Sequence, residues 1–325
     1  MEEKDFFDKA INSKYGKKIA GNTRLKESLI RFFFAVNGTM ALIFIILIFV
    51  FLFKEGFKAL DHIGLLDFLY LDRTDAHGNI ERVLQWYPTS EEPRYSLIPM
   101  LIGTFLTAFP ATIISTLLGV GAGIYLSEVA NPKFKEFLKP MIELFAGIPT
   151  VVLGFIMLVV GASFFNDLLN PANRLNAFVA AIGLSFVIIP IIASLTEDAL
   201  HSIPNELRMA SYGLGATKWQ TISKVILPAA FSGISASILL GFGRAIGETM
   251  IVLMCAGNAA NVTANIFLSV RTMTATIAAE MGEVSQGSDH YYSLFFIGIV
   301  LFTITFILNL IAEIIINKMR KKNTF

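Results

Sequence analysis

The sequence predicts an all-α fold, a polytopic transmembrane helical bundle of about six spans, on three observations. Apolar residues fill 54% of the 325 positions and charged residues only 16%, well below the roughly one quarter charged that is usual in soluble domains. Phenylalanine occurs 29 times, often in blocks such as 32–34 and 51–53, which suits lipid-facing and helix-packing surfaces. Six apolar runs are long enough for the about 20 residues that a helix needs to cross a hydrocarbon core.

Those runs are 32–53, 99–125, 138–165, 176–196, 229–256 and 292–316. Placing the N-terminus in the cytoplasm puts 18 of the 26 lysines and arginines on that side, so the positive-inside rule predicts that both termini are cytoplasmic. The chain then divides into a cytoplasmic N-terminal segment 1–31, a first span 32–53, an external loop 54–97, a membrane core 98–317 and a basic cytoplasmic tail 318–325. The first span starts too far in for a usual signal peptide, and no small-residue cleavage pattern follows it, so it is expected to stay attached.

Around Phe6, Phe7 and Ile11 the N-terminal segment allows a short interfacial helix or a solvated tail. The external loop mixes Asp61, Asp67, Asp72, Asp75, Glu91 and Glu92 with Trp86, Tyr87 and a turn signal at Gly78-Asn79, and serves as a docking surface or a spacer. The segment 257–291 is expected at the outer face or as a re-entrant element. Its stretch 262–279 is apolar, but Arg271 sits in the middle, and a crossing there would send Lys318, Arg320, Lys321 and Lys322 outside; non-helical backbone at membrane depth is tolerated where protein buries it. Cys255 is the only cysteine, which excludes an internal disulfide and a multi-thiolate metal cluster.

The stretch 196–228 is too polar to span and too patterned to be slack. Pro204 suits the first turn of a helix in which Leu207, Ala210, Ser211 and Leu214 share a face, and Gly213 and Gly215 can end it. Thr217 and Gln220 have capping-box spacing and open a second helix with Trp219, Ile222, Val225 and Ile226 on one side, after which Pro228 marks re-entry into the membrane. A helix pair over 204–226 would present an apolar knob to a cytoplasmic motor.

Arg244 and Glu248 fall inside the fifth span, in Gly241-Phe242-Gly243-Arg244-Ala245-Ile246-Gly247-Glu248-Thr249-Met250. An arginine at a helix centre costs about 2.5–3.5 kcal/mol on insertion scales, so it should face protein or water and marks a candidate functional site. At a spacing of four the two side chains would share one helix face and could neutralise each other as a structural pair, although the basic residue comes first, the weaker order. The guanidinium also matches two oxygens of a tetrahedral oxyanion such as phosphate. On that reading Glu248 holds Arg244 until the anion displaces it. Gly243 with Gly247, and Gly119 with Gly123, have small-xxx-small packing spacing. Thr104, Thr107, Thr112 and Ser115 offer hydroxyls to an anion or to their own backbone.

No phosphate-binding P-loop, H-E-x-x-H or G-x-S-x-G motif is present, so any ATP that drives the protein must be bound by another chain. The four histidines, His62, His77, His201 and His290, are scattered through polar loops, where solvated or titrating roles outweigh metal ligation, and no metal site is expected.

The stretch from Ala210 to Pro228, A-S-Y-G-L-G-A-T-K-W-Q-T-I-S-K-V-I-L-P, resembles the cytoplasmic loop signature of bacterial ABC-importer permeases. Gly103-Thr104, Ala146-Gly147-Ile148-Pro149-Thr150, the 243–250 motif followed by Gly257-Asn258, and the run 270–278 extend the resemblance over residues 97–316 to phosphate-importer permeases, of PstC type more than PstA type. It implies a type I ABC-importer permease in a bacterial cytoplasmic membrane, not itself an enzyme. It implies a PstA-type sister permease, two PstB-type ATPase subunits that use ATP and Mg, and an external PstS-type phosphate-binding protein, with no cofactor bound by this chain. The pathway residues it implies are Arg244, Glu248, Thr249 and Thr104. The ATPase-coupling loop would use Glu206, Met209, Ala210, Gly215, Ala216, Leu227 and Pro228. One departure stands out: the position six before Gly215 usually holds Glu in these importers and here is Met209, with Glu206 one turn earlier as a substitute. A permease for another oxyanion, molybdate or sulfate, and an ATP-independent anion channel are the alternatives.

Overall fold

The computed structural model describes residues 14–74 and 80–322. The features expected around Phe6, Phe7 and Ile11 and at Gly78-Asn79 lie outside the described residues. The chain separates into two units, one ending at Lys54 and one beginning at Glu55. The first holds most of helix α1 (Lys14–His62), whose side chains over 26–50 are all exposed apolar and polar groups of a membrane-length helix.

The second unit takes in the end of α1 and then forms two antiparallel strand pairs, β1 (Leu71–Thr74) with β2 (Ile80–Val83), and β3 (Trp86–Tyr87) with β4 (Arg94–Tyr95), where Trp86 faces Tyr95. Helix α2 (Ile98–Ile124) starts on Pro99, whose missing N–H costs nothing in a first turn, and continues through a π-helical turn (Tyr125–Val129). Then come α3 (Pro132–Ala146), α4 (Thr150–Ile156), a π turn (Met157–Gly161) and α5 (Ala162–Leu169). Helices α6 (Ala177–His201) and α7 (Asn205–Gly213) follow. Next are α8 (Lys218–Thr221), a π turn (Ile222–Ile226), α9 (Leu227–Gly247), α10 (Met250–Cys255), α11 (Met273–Glu280) and α12 (Asp289–Lys322).

Six helices among the described residues are long and apolar enough to cross a membrane: Lys26–His62, Ile98–Val129, Thr150–Leu169, Ala177–His201, Lys218–Gly247 and Asp289–Ile314. Two expected boundaries change. The third span does not begin at Leu138, because Pro149 adopts an extended backbone (ψ 132°) and breaks the run. The residues before it form α3, a separate amphipathic helix capped by the Asn131 side chain. Phe134, Phe137, Met141 and Leu144 recur on its exposed apolar side. Lys135 and Lys139 bind it through the other side to Glu197 and Asp198 on α6. The second change concerns the helix expected after Thr217. It is not a detached element but the start of the fifth span, running without interruption from Lys218 to Gly247; the Thr217–Gln220 capping box that opens it is present in both directions.

Close helix contacts are set by small residues. A Cβ added at Gly119 would stand 2.9 Å from the Ile192 side chain, and one at Gly123 would stand 2.8 Å from the Ala193 carbonyl oxygen, so α2 packs directly on α6. Gly241 meets Ile188 and Ile192 in the same way, bringing α9 onto α6 beside α2. Between these helices, Ala108, Ala111, Leu184, Ile188, Ile192, Ala245 and Ile246 form one buried core. Gly243 and Gly247 do not repeat the packing expected of them: a Cβ at Gly243 would only graze Asn309 at 3.7 Å, and one at Gly247 would meet nothing within 4 Å. That face of α9 is left open within this chain.

Candidate translocation site and coupling loop

The fifth span ends at Gly247. Glu248 is the first extended residue (ψ 136°), and Thr249 leads into the short helix α10. Arg244 and Glu248 are therefore not an i, i+4 pair on a continuous helix. Glu248 is buried, at 7% exposure, and its Oε1 accepts a hydrogen bond from the Met250 backbone N–H at 3.3 Å. Its backbone carbonyl accepts from the Thr274 hydroxyl at 2.8 Å. The acidic residue thus closes the helix break from inside.

Arg244 lies in the last turn of α9, where a cation favours the helix dipole. Its side chain is exposed in the single chain, and among the described residues it has no hydrogen-bond or ion-pair partner. The open Gly247 and the exposed Arg244 share the terminal turn of α9. Thr249 is half-buried, and its hydroxyl donates only to the Gly247 carbonyl, at 3.4 Å.

The break is held by the segment between α10 and α12. Residues 256–272 are largely non-helical, and Gly257 reaches its φ of +85° because no Cβ is present to strike Ser269 or the Leu175 carbonyl. The carbonyls of Leu268 and Ile266 accept from the first N–H groups of α6, at Ala177 and Phe178, satisfying donors that a helix start otherwise leaves free. Gly103 lets α2 lie against the Arg271 carbonyl, which a Cβ would approach to 2.2 Å. Thr104, expected along the pathway, is instead buried at this junction, where its hydroxyl donates to Met100 and accepts from the Met273 N–H at 3.1 Å. Thr107, Thr112 and Ser115 also donate to carbonyls of their own helix.

Arg271 points to the hairpin end of the bundle. Its Nη1 donates to Glu280 at 2.6 Å, while Glu280 also meets Trp86 Nε1 at 3.0 Å and His290 Nε2 at 2.8 Å. Burial pushes the Glu280 carboxyl up, but the His290 and Trp86 hydrogen bonds and the Arg271 and His290 charges outweigh it and hold the group below its ordinary value. Trp86 is 2% exposed, so the 54–97 region is anchored here. A cavity of about 950 Å³ opens beside this cluster, lined by Tyr87, Asn258, Glu283 and Ser288 among others.

At the other end, α7 stops in the two-bond glycine motif. Gly215 has φ +82°, its N–H donates to Tyr212, and the Ala216 N–H donates to Ser211. Leu214 is 90% exposed, and Met209 and Trp219 are nearly 70% exposed, so the loop presents an apolar surface. Glu206 and Ala210 are exposed beside it, Ala216 is half-buried, and Leu227 and Pro228 sit in the first turn of α9. Two residues unnoticed in the sequence join this loop to the bundle: Arg208 binds Glu128 at 2.6 Å. Eighty positions separate them, and no local pattern pairs them.

A family model described as "binding-protein-dependent transport system inner membrane component" matches residues 117–321. The chain belongs to that family. This inner membrane component is 36% identical over 230 residues to the probable ABC transporter permease protein YqgH of Bacillus subtilis, covering 71% of this chain and 74% of that one. It is 29% identical over 247 residues to the phosphate transport system permease protein PstC of Mesorhizobium japonicum, covering 70% and 75%. Its fold is similar to a chain of the MetNI methionine ABC transporter (TM-score 0.56, 20% identity, 69% of this chain and 95% of that chain). It is also similar to one of a bacterial ABC transporter that imports the acidic polysaccharide alginate (TM-score 0.59, 14% identity, 93% and 100%). The six apolar helices are those of a type I ABC-importer permease, a multi-pass protein of the cytoplasmic membrane.

Proposed function

We propose that this permease is the PstC-type subunit of a phosphate importer. Arg244 carries the reading: a guanidinium exposed on a membrane-spanning helix, without a partner among the described residues. Left against lipid it would cost about 2.5–3.5 kcal/mol, so this face is covered by a second permease with a polar path between the two. A planar fork of donors in such a path suits a phosphate oxyanion, which it can bind through two parallel hydrogen bonds. The similarity to the Mesorhizobium PstC supports the same cargo. Glu248 is turned inward, so its part is to shape the break that presents Arg244, and Thr249 lines the same turn.

In this proposal both termini are cytoplasmic, following the lysine and arginine distribution. The exposed 207–219 surface then receives two PstB-type subunits, which bind ATP and Mg; the chain itself hydrolyses nothing and holds no cofactor. The hairpin end faces a PstS-type phosphate-binding protein. Uptake of radiolabelled phosphate by vesicles containing the complex, with excess sulfate or molybdate as competitors, tests the cargo. Uptake that needs ATP and resists both competitors supports phosphate import. Displacement by either competitor would reassign the oxyanion, and flux through the purified chain alone would make it a channel.

A further inference from the structure

We propose that Arg208 and Glu128 form the joint that carries movement of the coupling loop into the membrane, with Arg208 as a positioning residue for transport. The proposal rests on the reading that ATPase subunits dock on this loop. Helix α7 has nine residues, too short to hold a fixed angle on propensity alone, so its ties decide how it moves. Arg208 provides four of them. Nη2 donates to Glu128 Oε1 at 2.6 Å and to the Leu200 carbonyl at 2.9 Å, Nη1 to the Ile203 carbonyl at 2.7 Å, and Nε to Glu128 Oε2 at 3.4 Å.

The two carbonyls belong to the C-terminal end of α6 and the turn after it, where acceptors lack helix partners. Glu128 lies in the π turn that finishes α2. One side chain therefore fastens the loop helix to two membrane helices, and both charged groups are shielded, with 15% and 8% of their side chains exposed. A second tie, between the buried Ser211 and Thr221 hydroxyls at 2.8 Å, reaches the start of the fifth span. Without Arg208, α7 keeps that hinge to the fifth span and loses its grip on α2.

Helix α2 with its π turn is continuous from Ile98 to Val129. At its far end Thr104 holds the Met273 N–H, and the next residue, Thr274, holds the Glu248 carbonyl. A displacement applied at Glu128 thus has a route to the helix break beside Arg244 through one continuous helix, which carries Pro110 in its interior, and two hydrogen bonds. Spatial continuity alone does not demonstrate coupling, so the test must read coupling itself.

The experiment uses the assembled complex with its ATPase subunits in a Cys255→Ser background carrying Phe109→Cys, a reporter on α2 whose ring faces Phe242 of α9 at 5.1 Å. Maleimide labelling of that cysteine with and without Mg-ATP is followed beside ATP hydrolysis and phosphate uptake. Arg208→Ala and Glu128→Gln are expected to leave the subunits co-purifying and hydrolysing ATP. The ATP-dependent change in labelling should be lost, and uptake per ATP should fall by about tenfold. Arg208→Lys, which keeps the charge but not the fork, should fall between. Wild-type labelling and uptake per ATP in Arg208→Ala would overturn the joint. So would a failure of Arg208→Ala to assemble combined with wild-type coupling in Glu128→Gln. If the ATPase subunits did not co-purify with the parent chain, the docking reading would fail; if the parent complex transported phosphate with no ATP-dependent labelling on α2, the joint would fail.

Discussion

Gly103 and Gly215 make opposite demands on the absence of a side chain. At Gly103 a methyl group would stand 2.2 Å from the Arg271 carbonyl oxygen and 2.9 Å from its carbon, and neither backbone atom can rotate away. Gly103→Ala is expected to cost at least the about 1–3 kcal/mol typical of overpacking and to lower the thermal midpoint of the detergent-solubilised protein by circular dichroism. An unchanged midpoint would mean that the 256–272 segment yields. At Gly215 the space is open but φ is +82°, so Gly215→Ala pays only the left-handed penalty of about 1 kcal/mol. Its effect should appear in ATPase coupling and leave the melting curve close to that of the parent. Arg244 was legible as a site because a charge in an apolar run is conspicuous. Its relation to Glu248 was not legible, since the break after Gly247 depends on Thr274, 26 residues away.

Among the elements, α3 is held by charge more than by apolar burial. No residue of α3 is buried, and its hold on α6 runs through Glu197, whose side chain is 2% exposed against lysines that are 26% and 33% exposed. Glu197→Gln should loosen α3 by the lower end of the about 1.5–3 kcal/mol given by charged hydrogen bonds, because the lysines are partly solvated. Faster amide exchange over 132–146 with the six spans unchanged would show it. Hydropathy alone had merged α3 with the third span, since its apolar stripe and the run after Pro149 are alike in composition; the period of the stripe and the proline separate them. The hairpin anchor is pH-dependent in one direction. The fold favours the ionised form of Glu280, so its contribution is complete above the ordinary value of 4.5 and is lost as the pH falls through the lower value of the folded state. In a Trp219→Phe background, Trp86 emission should show an acid transition below about pH 4.5, where Glu280 is protonated. Glu280→Gln should show the shifted emission at every pH.

At the scale of the molecule, the number of spans followed from hydropathy because a bilayer imposes one length on every crossing helix. The loop signature likewise survived as a glycine-terminated helix and a capping box. What composition could not supply was the proposed link between the two ends, because the Arg208–Glu128 and Thr104–Met273 contacts join distant parts of the sequence. On the proposed reading, the open turn at Arg244 and Gly247 is the half of a path that a second permease completes. Phosphate uptake by the reconstituted complex carrying Arg244→Ala or Arg244→Lys measures this most directly. Both variants should assemble and keep ATP hydrolysis, with uptake abolished in Arg244→Ala and strongly reduced in Arg244→Lys, which lacks the two-pronged donor. Wild-type phosphate uptake by Arg244→Ala would contradict the account.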